Sequence, residues 1–300
     1  MISRNGGVRH GATFCPKKLL KPDALNVKEL LATARLLLAD FPAGGLEAEV
    51  LLSGILDVDR AWLYANPDHI PETEQSARFH ALVKRRESGE PVAYLTGRRE
   101  FWSLSLKVTP DVLIPRHETE LLVDIALAFI PPDASWRIAD LGTGSGAIAL
   151  ALATERPLCE VHATDISKAA LKVAQENEQN IAPGRISFHR GSWLEPLSGR
   201  FRVIVTNPPY IGRDDPHLQE GDCRFEPGAA LSPGEDGLSA IRLIARAALP
   251  FLEPGGMLAF EHGYDQGHGA RSLLSGLGYQ DVRTHRDLEE RDRITSGLRP

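Results

Sequence analysis

From Glu118 to the C-terminus, short apolar runs and helical stretches take turns, and this alternation constrains the fold more than any other feature. Helical spacing over Leu121–Phe129 gives way to a strand pattern at 137–141. A helix follows at 146–155, a strand at 160–164 and a helix at 167–178. Strand patterns recur at 185–190 and 201–206, then a helix near 237–250, a strand at 256–261 and a helix near 267–276. Two more strand patterns, near 279–285 and 292–297, close the chain. Alternation on this scale predicts an α/β fold: a doubly wound, mostly parallel, seven-stranded sheet of Rossmann-like type. The last two runs leave no room for a helix between them and are expected to pair antiparallel. Ligands of such sheets bind beyond the carboxyl ends of the strands.

Three of those strand ends carry chemistry. The run 137–141 contains Asp140 and passes into Gly142-Thr143-Gly144-Ser145-Gly146, followed by a helix rich in Ala and Leu. Alternating glycines permit a tight turn and let backbone approach a ligand with no Cβ in the way. The spacing G-x-G-x-G is one residue shorter than the dinucleotide fingerprint, and no Lys-Ser/Thr follows, so a phosphate-cradling loop fits poorly. Asp140 is positioned to receive a ligand ammonium, or it is simply a solvated strand end. The next strand ends at Asp165, about 20 residues on, where a carboxylate accepts the hydroxyls of a ribose; alternatively it caps the helix that opens at Ser167. A glycine turn, one carboxylate for an amine and one for a diol together describe an amino-acid-bearing nucleoside, and S-adenosylmethionine (SAM) fits.

The third end is Asn207-Pro208-Pro209-Tyr210, after the apolar run Phe201–Thr206. Both prolines lack an N–H and hold φ near −65°, so the carbonyls are the usable backbone groups. Fixed acceptors suit a substrate that donates hydrogens, such as an amide NH2 or an exocyclic amine. In isolation, Asn-Pro-Pro also serves as a turn that closes a strand. Beside the glycine loop it reads as the substrate side of one crevice.

Composition narrows the class. Hydrophobic residues make up 42% and charged residues 25% of 300, ordinary for a soluble globular protein of one large and one smaller domain. A net charge of −6 argues against a long polyphosphate as the main partner. Cys15, Cys159 and Cys223 are widely spaced and form no zinc or disulfide pattern, as expected in a reducing cytosol. No apolar run approaches the roughly 20 residues of a membrane helix, and the N-terminus lacks the apolar core of a signal peptide.

Residues 1–24 show no periodicity and are expected to form a flexible extension. Over 25–90, four or five short helices are expected as a small bundle. It starts at an Asn26/Glu29 capping box and carries an apolar stripe of Leu30, Leu31, Ala34, Leu37 and Leu38. Phe101 to Val108 then alternates with period two and is expected to pair with a strand near Val92–Leu95, making 91–115 a linking β-hairpin. Residues 116–300 are the catalytic body. Lys84-Arg85-Arg86 and Arg98-Arg99 read as solvated faces, and His262 reads as structural.

With these residues placed, the chain resembles the PrmC (HemK) family of class I SAM-dependent methyltransferases, which act on glutamine of peptide chain release factors. The resemblance covers about residues 25–300. It rests on Leu95-Thr96-Gly97-Arg98-Arg99-Glu100-Phe101-Trp102, Leu113-Ile114-Pro115-Arg116, Glu118-Thr119-Glu120, the glycine loop, Asn207–Tyr210 and Arg224-Phe225-Glu226-Pro227. It implies that Gly142, Thr143, Gly144, Ser145 and Gly146 line the methionine end of SAM, with Asp140 beside them. It further implies that Asp165 holds the ribose, that Trp193 borders the adenine and that Asn207–Tyr210 hold the target glutamine, Asn207 touching the cofactor as well. His117 stands where the family usually has proline, and Ser192 where it commonly has an acidic residue. The implied partner is a release factor, docked by the helical front domain, with the enzyme a cytoplasmic monomer that needs no metal and modifies no nucleic acid.

Chemically, Asn207 Oδ1 and the Pro208 carbonyl are expected to accept the two N–H groups of the target amide, while Tyr210 walls the slot. Rival readings are an adenine-N6 or guanine-N2 methyltransferase, a ribosomal-protein glutamine methyltransferase, and a silent SAM-binding module.

Overall fold

The computed structural model describes residues 25–219, 221–232 and 237–300. The flexible extension expected over 1–24 therefore lies outside the described residues. By its internal packing the chain divides after Lys84 into two units.

In the first unit, α1 (Val27–Leu37) opens on the expected capping box. Asn26 Oδ1 accepts from Glu29 N at 2.9 Å, and Asn26 N donates to Glu29 Oε2 at 3.0 Å. Such a cap contributes about 1 kcal/mol. Leu30, Leu31, Ala34 and Leu38 are buried as the spacing predicts, but Leu37 is 40% exposed. The helix gives out there and Leu38, its C-cap, turns inward instead. α2 (Gly44–Leu56) begins on the glycine pair because the Leu38 carbonyl lies where a Gly44 side chain would start. α3 (Arg60–Ala65) and α4 (Thr73–Glu87) follow, the division of the chain falling inside α4.

The second unit starts with α5 (Val92–Thr96), which corrects the expectation of a strand at 92–95. The hairpin exists, but its strands are β1 (Arg98–Phe101) and β2 (Leu104–Lys107), antiparallel with Phe101 opposite Leu104. What read as one strand from 101 to 108 folds back at Trp102-Ser103, both with positive φ (52° and 56°). Paired positive φ at a two-residue loop matches the twist of the flanking strands. Neither residue is the Gly or Asn that usually marks such a turn, so period alone misled. The solvated-face reading fails at Arg86, which is 8% exposed and donates to the Gly89 and Glu90 carbonyls.

The remaining elements run in the expected alternation. They are α6 (Glu120–Phe129), β3 (Arg137–Leu141), α7 (Ala147–Glu155), β4 (Glu160–Asp165), α8 (Lys168–Ile181), β5 (Ile186–Arg190) and β6 (Phe201–Thr206). After them come α9 (Gly228–Leu231), α10 (Ser239–Phe251), β7 (Leu252–Glu261), α11 (Gly267–Gly276), β8 (Gln280–Arg286) and β9 (Asp292–Leu298). Seven strands form one sheet in the order β5-β4-β3-β6-β7-β9-β8. The first five are mutually parallel, and β9 pairs antiparallel with both neighbours. Val203 and Val205 face a core shared with α6 and α7, while Ile204 faces one shared with α10 and α11. With both faces covered, the middle of β6, Val203-Ile204-Val205, is an unbroken apolar run, as doubly wound sheets favour.

The order of strands reverses between β3 and β6, the point where such sheets open a crevice. Register then sets the site. Leu141 lies level with Thr164 on one side and Thr206 on the other. The next residues, Gly142, Asp165 and Asn207, consequently emerge side by side.

Candidate active site

The glycine loop leaves β3 in a sharp turn held from β4: Gly142 N and Thr143 N both donate to the Thr164 carbonyl, at 2.8 and 2.9 Å. Gly144 and Gly146 adopt φ of +57° and +85°. Nothing lies within 4 Å of where a Gly144 Cβ would stand, so the loop leaves open space on that side. Gly146 instead caps α7 and faces Ala174, 3.2 Å from its Cβ position.

Asp140 sits behind this loop, 1% exposed. Its Oδ2 accepts from the Thr143 hydroxyl at 2.6 Å and from Ala149 N at 3.2 Å. Its Oδ1 is buried without a partner. Burial pushes this carboxyl up to about 7, against the pull of those two hydrogen bonds. A buried oxygen left unpaired is costly unless a ligand donor completes it.

Asp165 lies at the end of β4. Gly144 N donates to its Oδ2 at 2.9 Å and Ser167 N to its Oδ1 at 2.8 Å. Burial raises its pKa, and the backbone donors counter that rise. Asp165 therefore ties the glycine turn to β4 and also supports the start of α8, whose N-cap is Ser167. A carboxylate offers about four acceptor sites, so these backbone donors leave room for a ligand hydroxyl.

A crevice of about 310 Å³ opens in front of these groups, within the range of small-molecule sites. Gly142, Thr143, Gly144 and Ser145 line it, with Asp165 and Trp193 alongside. Asn207 and Pro209 line the same crevice further along. Four of the expected residues, Asp140, Gly146, Pro208 and Tyr210, do not border it directly. Trp193, at φ +50°, packs its ring on the glycine loop, 3.1 Å from the Gly142 Cβ position. Ser192 also lines the crevice, while His117 is exposed and opens the 3₁₀ turn His117–Thr119.

The Asn207 segment is fastened at several points. Asn207 Nδ2 donates to Thr119 Oγ1 at 3.1 Å, and the Thr119 hydroxyl donates to Glu261 Oε2 at 2.6 Å. The Tyr210 hydroxyl donates to Glu261 Oε1 at 2.9 Å, so its ring is committed to β7. Gln266 Nε2 holds the Tyr210 carbonyl at 3.0 Å, and Ile211 N donates to Leu231 at 3.0 Å. Burial raises the pKa of Glu261, opposed first by Thr119 and Tyr210. Thr119 and Glu261 carried no role in the sequence reading, although Glu261 stands at a strand's carboxyl end, the position that flagged the others. His262 next to it is buried, its Nδ1 on the Gly263 carbonyl and its Nε2 on Thr295 Oγ1, each at 2.8 Å. It is structural, as read.

Beyond Asn207, Arg116 lines the crevice and pairs with buried Glu226, which also accepts from Ile114 N at 3.0 Å. On the other side, Asn177 of α8 holds the backbone N–H and C=O of Lys107 at 2.7 and 2.9 Å and the Ser145 carbonyl at 2.9 Å. The hairpin and the glycine loop thus share one buried amide.

The sheet order, the glycine turn after its first parallel strand and the two acidic strand ends define a class I SAM-dependent methyltransferase. SAM fits the residues present: an unpaired buried carboxylate oxygen suits an ammonium, and a side-chain-free turn leaves room beside it. Residues 29–97 match the PrmC N-terminal domain, and 119–219 match the methyltransferase small domain. A release factor glutamine methyltransferase of Xylella fastidiosa is 51% identical over 256 residues, covering 85% of this chain and 93% of that one. One from Burkholderia pseudomallei is 48% identical over 276 residues, covering 90% and 97%. Among solved structures, a methyltransferase from Pyrococcus furiosus aligns at TM-score 0.51 and 15% identity, covering 76% of this chain and 98% of that one. The 16S rRNA methyltransferase RsmC of Thermus thermophilus, solved with AdoMet and guanosine, also scores 0.51. It is 19% identical and covers 68% of this chain and 50% of that one. The last two share the fold. The chain belongs to the release factor glutamine methyltransferase family.

Proposed function

We propose that this enzyme methylates the side-chain nitrogen (N5) of the glutamine in the Gly-Gly-Gln motif of peptide chain release factors, in the cytoplasm, acting as a monomer. The observation that carries this reading is the Asn207 amide at the crevice edge, its Nδ2 committed to Thr119 and its Oδ1 left to accept. An amide nitrogen is a poor nucleophile because its lone pair is delocalised into the carbonyl. Asn207 Oδ1 accepts one of its N–H groups, and the carbonyl of Pro208, a residue set back from the crevice lining, accepts the other. Two fixed acceptors orient the nitrogen, favour its developing positive charge and encourage pyramidal geometry. Holding reacting atoms within about 3–3.5 Å contributes several kcal/mol by orientation alone.

SAM, when bound, supplies an electrophilic methyl group. On this reading Asp165 accepts from its ribose, Trp193 borders its adenine, the loop 142–146 receives its methionine end, and Asp140 balances the ammonium from behind. The methylated nitrogen is strongly acidic until it loses a proton, so no potent base is needed. Tyr210 acts by holding the segment to Glu261. The helical region 25–90 serves as the docking module for the release factor, 91–115 as the linker and 116–300 as the catalytic body.

Incubation with labelled SAM plus either a purified release factor or bulk RNA, followed by mass spectrometry, tests this reading. Label on the glutamine side chain is expected. Label only in RNA would overturn it.

A further inference from the structure

We infer that Glu261 and Thr119 form a positioning pair that sets which end of the Asn207 amide faces the crevice. This inference rests on the function proposed above. The two ends of an asparagine amide are nearly the same shape but opposite in chemistry: one carries two donors, the other only accepts. Methylation of an amine or amide needs the accepting end toward the substrate, so something has to decide.

Three chain segments far apart in sequence meet to decide it. A threonine hydroxyl has a single hydrogen to give. Thr119 gives it to Glu261 Oε2, and the 2.6 Å separation is that of a charge-assisted O–H···O⁻ bond. A carboxylate only accepts, and the other oxygen of Glu261 is occupied by the Tyr210 hydroxyl at 2.9 Å. Thr119 Oγ1 is left to accept, and its neighbour on that side is Asn207 at 3.1 Å. Only the NH2 end of Asn207 can answer it. With Glu261 ionised, the form that the bonds from Thr119 and Tyr210 favour against its burial, polarity runs one way, from Asn207 Nδ2 through Thr119 to Glu261, and Oδ1 is turned to the crevice.

Glu261 is 1% exposed and Thr119 4%, so water does not compete for the bond between them. Arg293 supplies an opposing charge and Glu118 a like one. Thr119, Tyr210 and Arg293 offset part of the cost of burying this carboxylate, and burial still raises its pKa. Thr119 lines the crevice and Glu261 does not: Glu261 acts through Thr119, and Thr119 through Asn207.

Two measurements test the pair. In a neutron structure of the cofactor-free protein, deuterium is expected on Asn207 Nδ2 toward Thr119 and on Thr119 Oγ1 toward Glu261. Deuterium on Thr119 pointing at Asn207 would overturn the inference, whatever the substrate is. In kinetics with a release factor, Thr119→Val leaves the NH2 end of Asn207 without a partner and favours the flipped amide. The expected result is a fall of about 10- to 100-fold in kcat, an unchanged KM for SAM, and recovery to within about threefold in Thr119→Ser. Wild-type turnover by Thr119→Val, or equal losses in the Val and Ser variants, would overturn it. A wild-type enzyme that leaves glutamine unmodified would instead defeat the function proposed above, and the neutron result would still judge the pair.

Discussion

Asn207 and Asp165 stand at the carboxyl ends of β6 and β4, two strands apart in the parallel part of the sheet, and emerge level because Leu141 between them is level with both Thr164 and Thr206. One carries an acceptor fixed from behind by Thr119, and the other anchors the glycine turn through Gly144 N. On the proposed reading, cofactor and substrate chemistry are thereby divided between the two ends of one crevice.

That division makes Asn207→Ala a selective lesion. Methyl transfer should fall by about 10²-fold or more, the scale of losing one fixed electrostatic contact to a developing charge. SAM affinity, measured by calorimetry, should stay within about threefold, since the contacts on that side remain.

Asp165→Ala should do the opposite. It removes the proposed ribose acceptor together with the anchors of Gly144 and Ser167. Hydrogen bonds to a charged group are worth about 1.5–3 kcal/mol, so SAM should bind about 10- to 100-fold more weakly. Turnover at saturating SAM should suffer less than affinity. Unaltered affinity would remove the ribose assignment.

Asp140 should leave a mark on stability against pH. Its carboxyl is raised by burial to about 7 from an ordinary 3.8. A raised carboxyl is protonated in the native state while the unfolded chain is already ionised. Its contribution is therefore complete below about pH 4 and is lost as pH rises toward 7. The slope from this one proton is about −1.4 kcal/mol per pH unit within that window. Denaturant unfolding of Asp140→Asn should show a pH dependence between 5 and 7 flatter than wild type by that amount.

Asn177→Ala should uncouple the hairpin from the glycine loop. Three backbone groups, Lys107 N–H, Lys107 C=O and Ser145 C=O, lose their partner together. Leaving buried backbone groups unpaired costs about 1–3 kcal/mol each when water cannot reach them. A net loss of about 2–4 kcal/mol in chemical denaturation is expected, with weaker SAM binding because Ser145 lines the crevice.

The sheet was legible because its signals are local. Apolar runs bounded by Asp165 and Asn207 gave strands within a residue or two of their ends, and the lack of a helix between the last two runs gave their antiparallel pairing. The hairpin was not fully legible. Trp102 and Ser103 turn the chain at positive φ without the usual residue types, and Val92–Thr96 forms a helix where pairing was expected. At the site, a residue type at a strand end was enough to bring Asp165 and Asn207 to one crevice. Glu261 shares that position but reaches the crevice only through Thr119, 142 residues away in sequence. No spacing rule reports a contact of that kind. Tyr210 illustrates the same limit: its motif placed it at the site, while its hydroxyl is spent on Glu261.

The most direct test compares wild type with Asn207→Ala in one experiment, using labelled SAM and a purified release factor, with methyl transfer and SAM affinity measured together. Wild type should place the label on the glutamine side-chain nitrogen, and the variant should bind SAM as tightly yet transfer almost none. A variant that methylates at the wild-type rate, or a wild type that labels only RNA, would contradict the assignment of Asn207 as the group that holds the accepting amide.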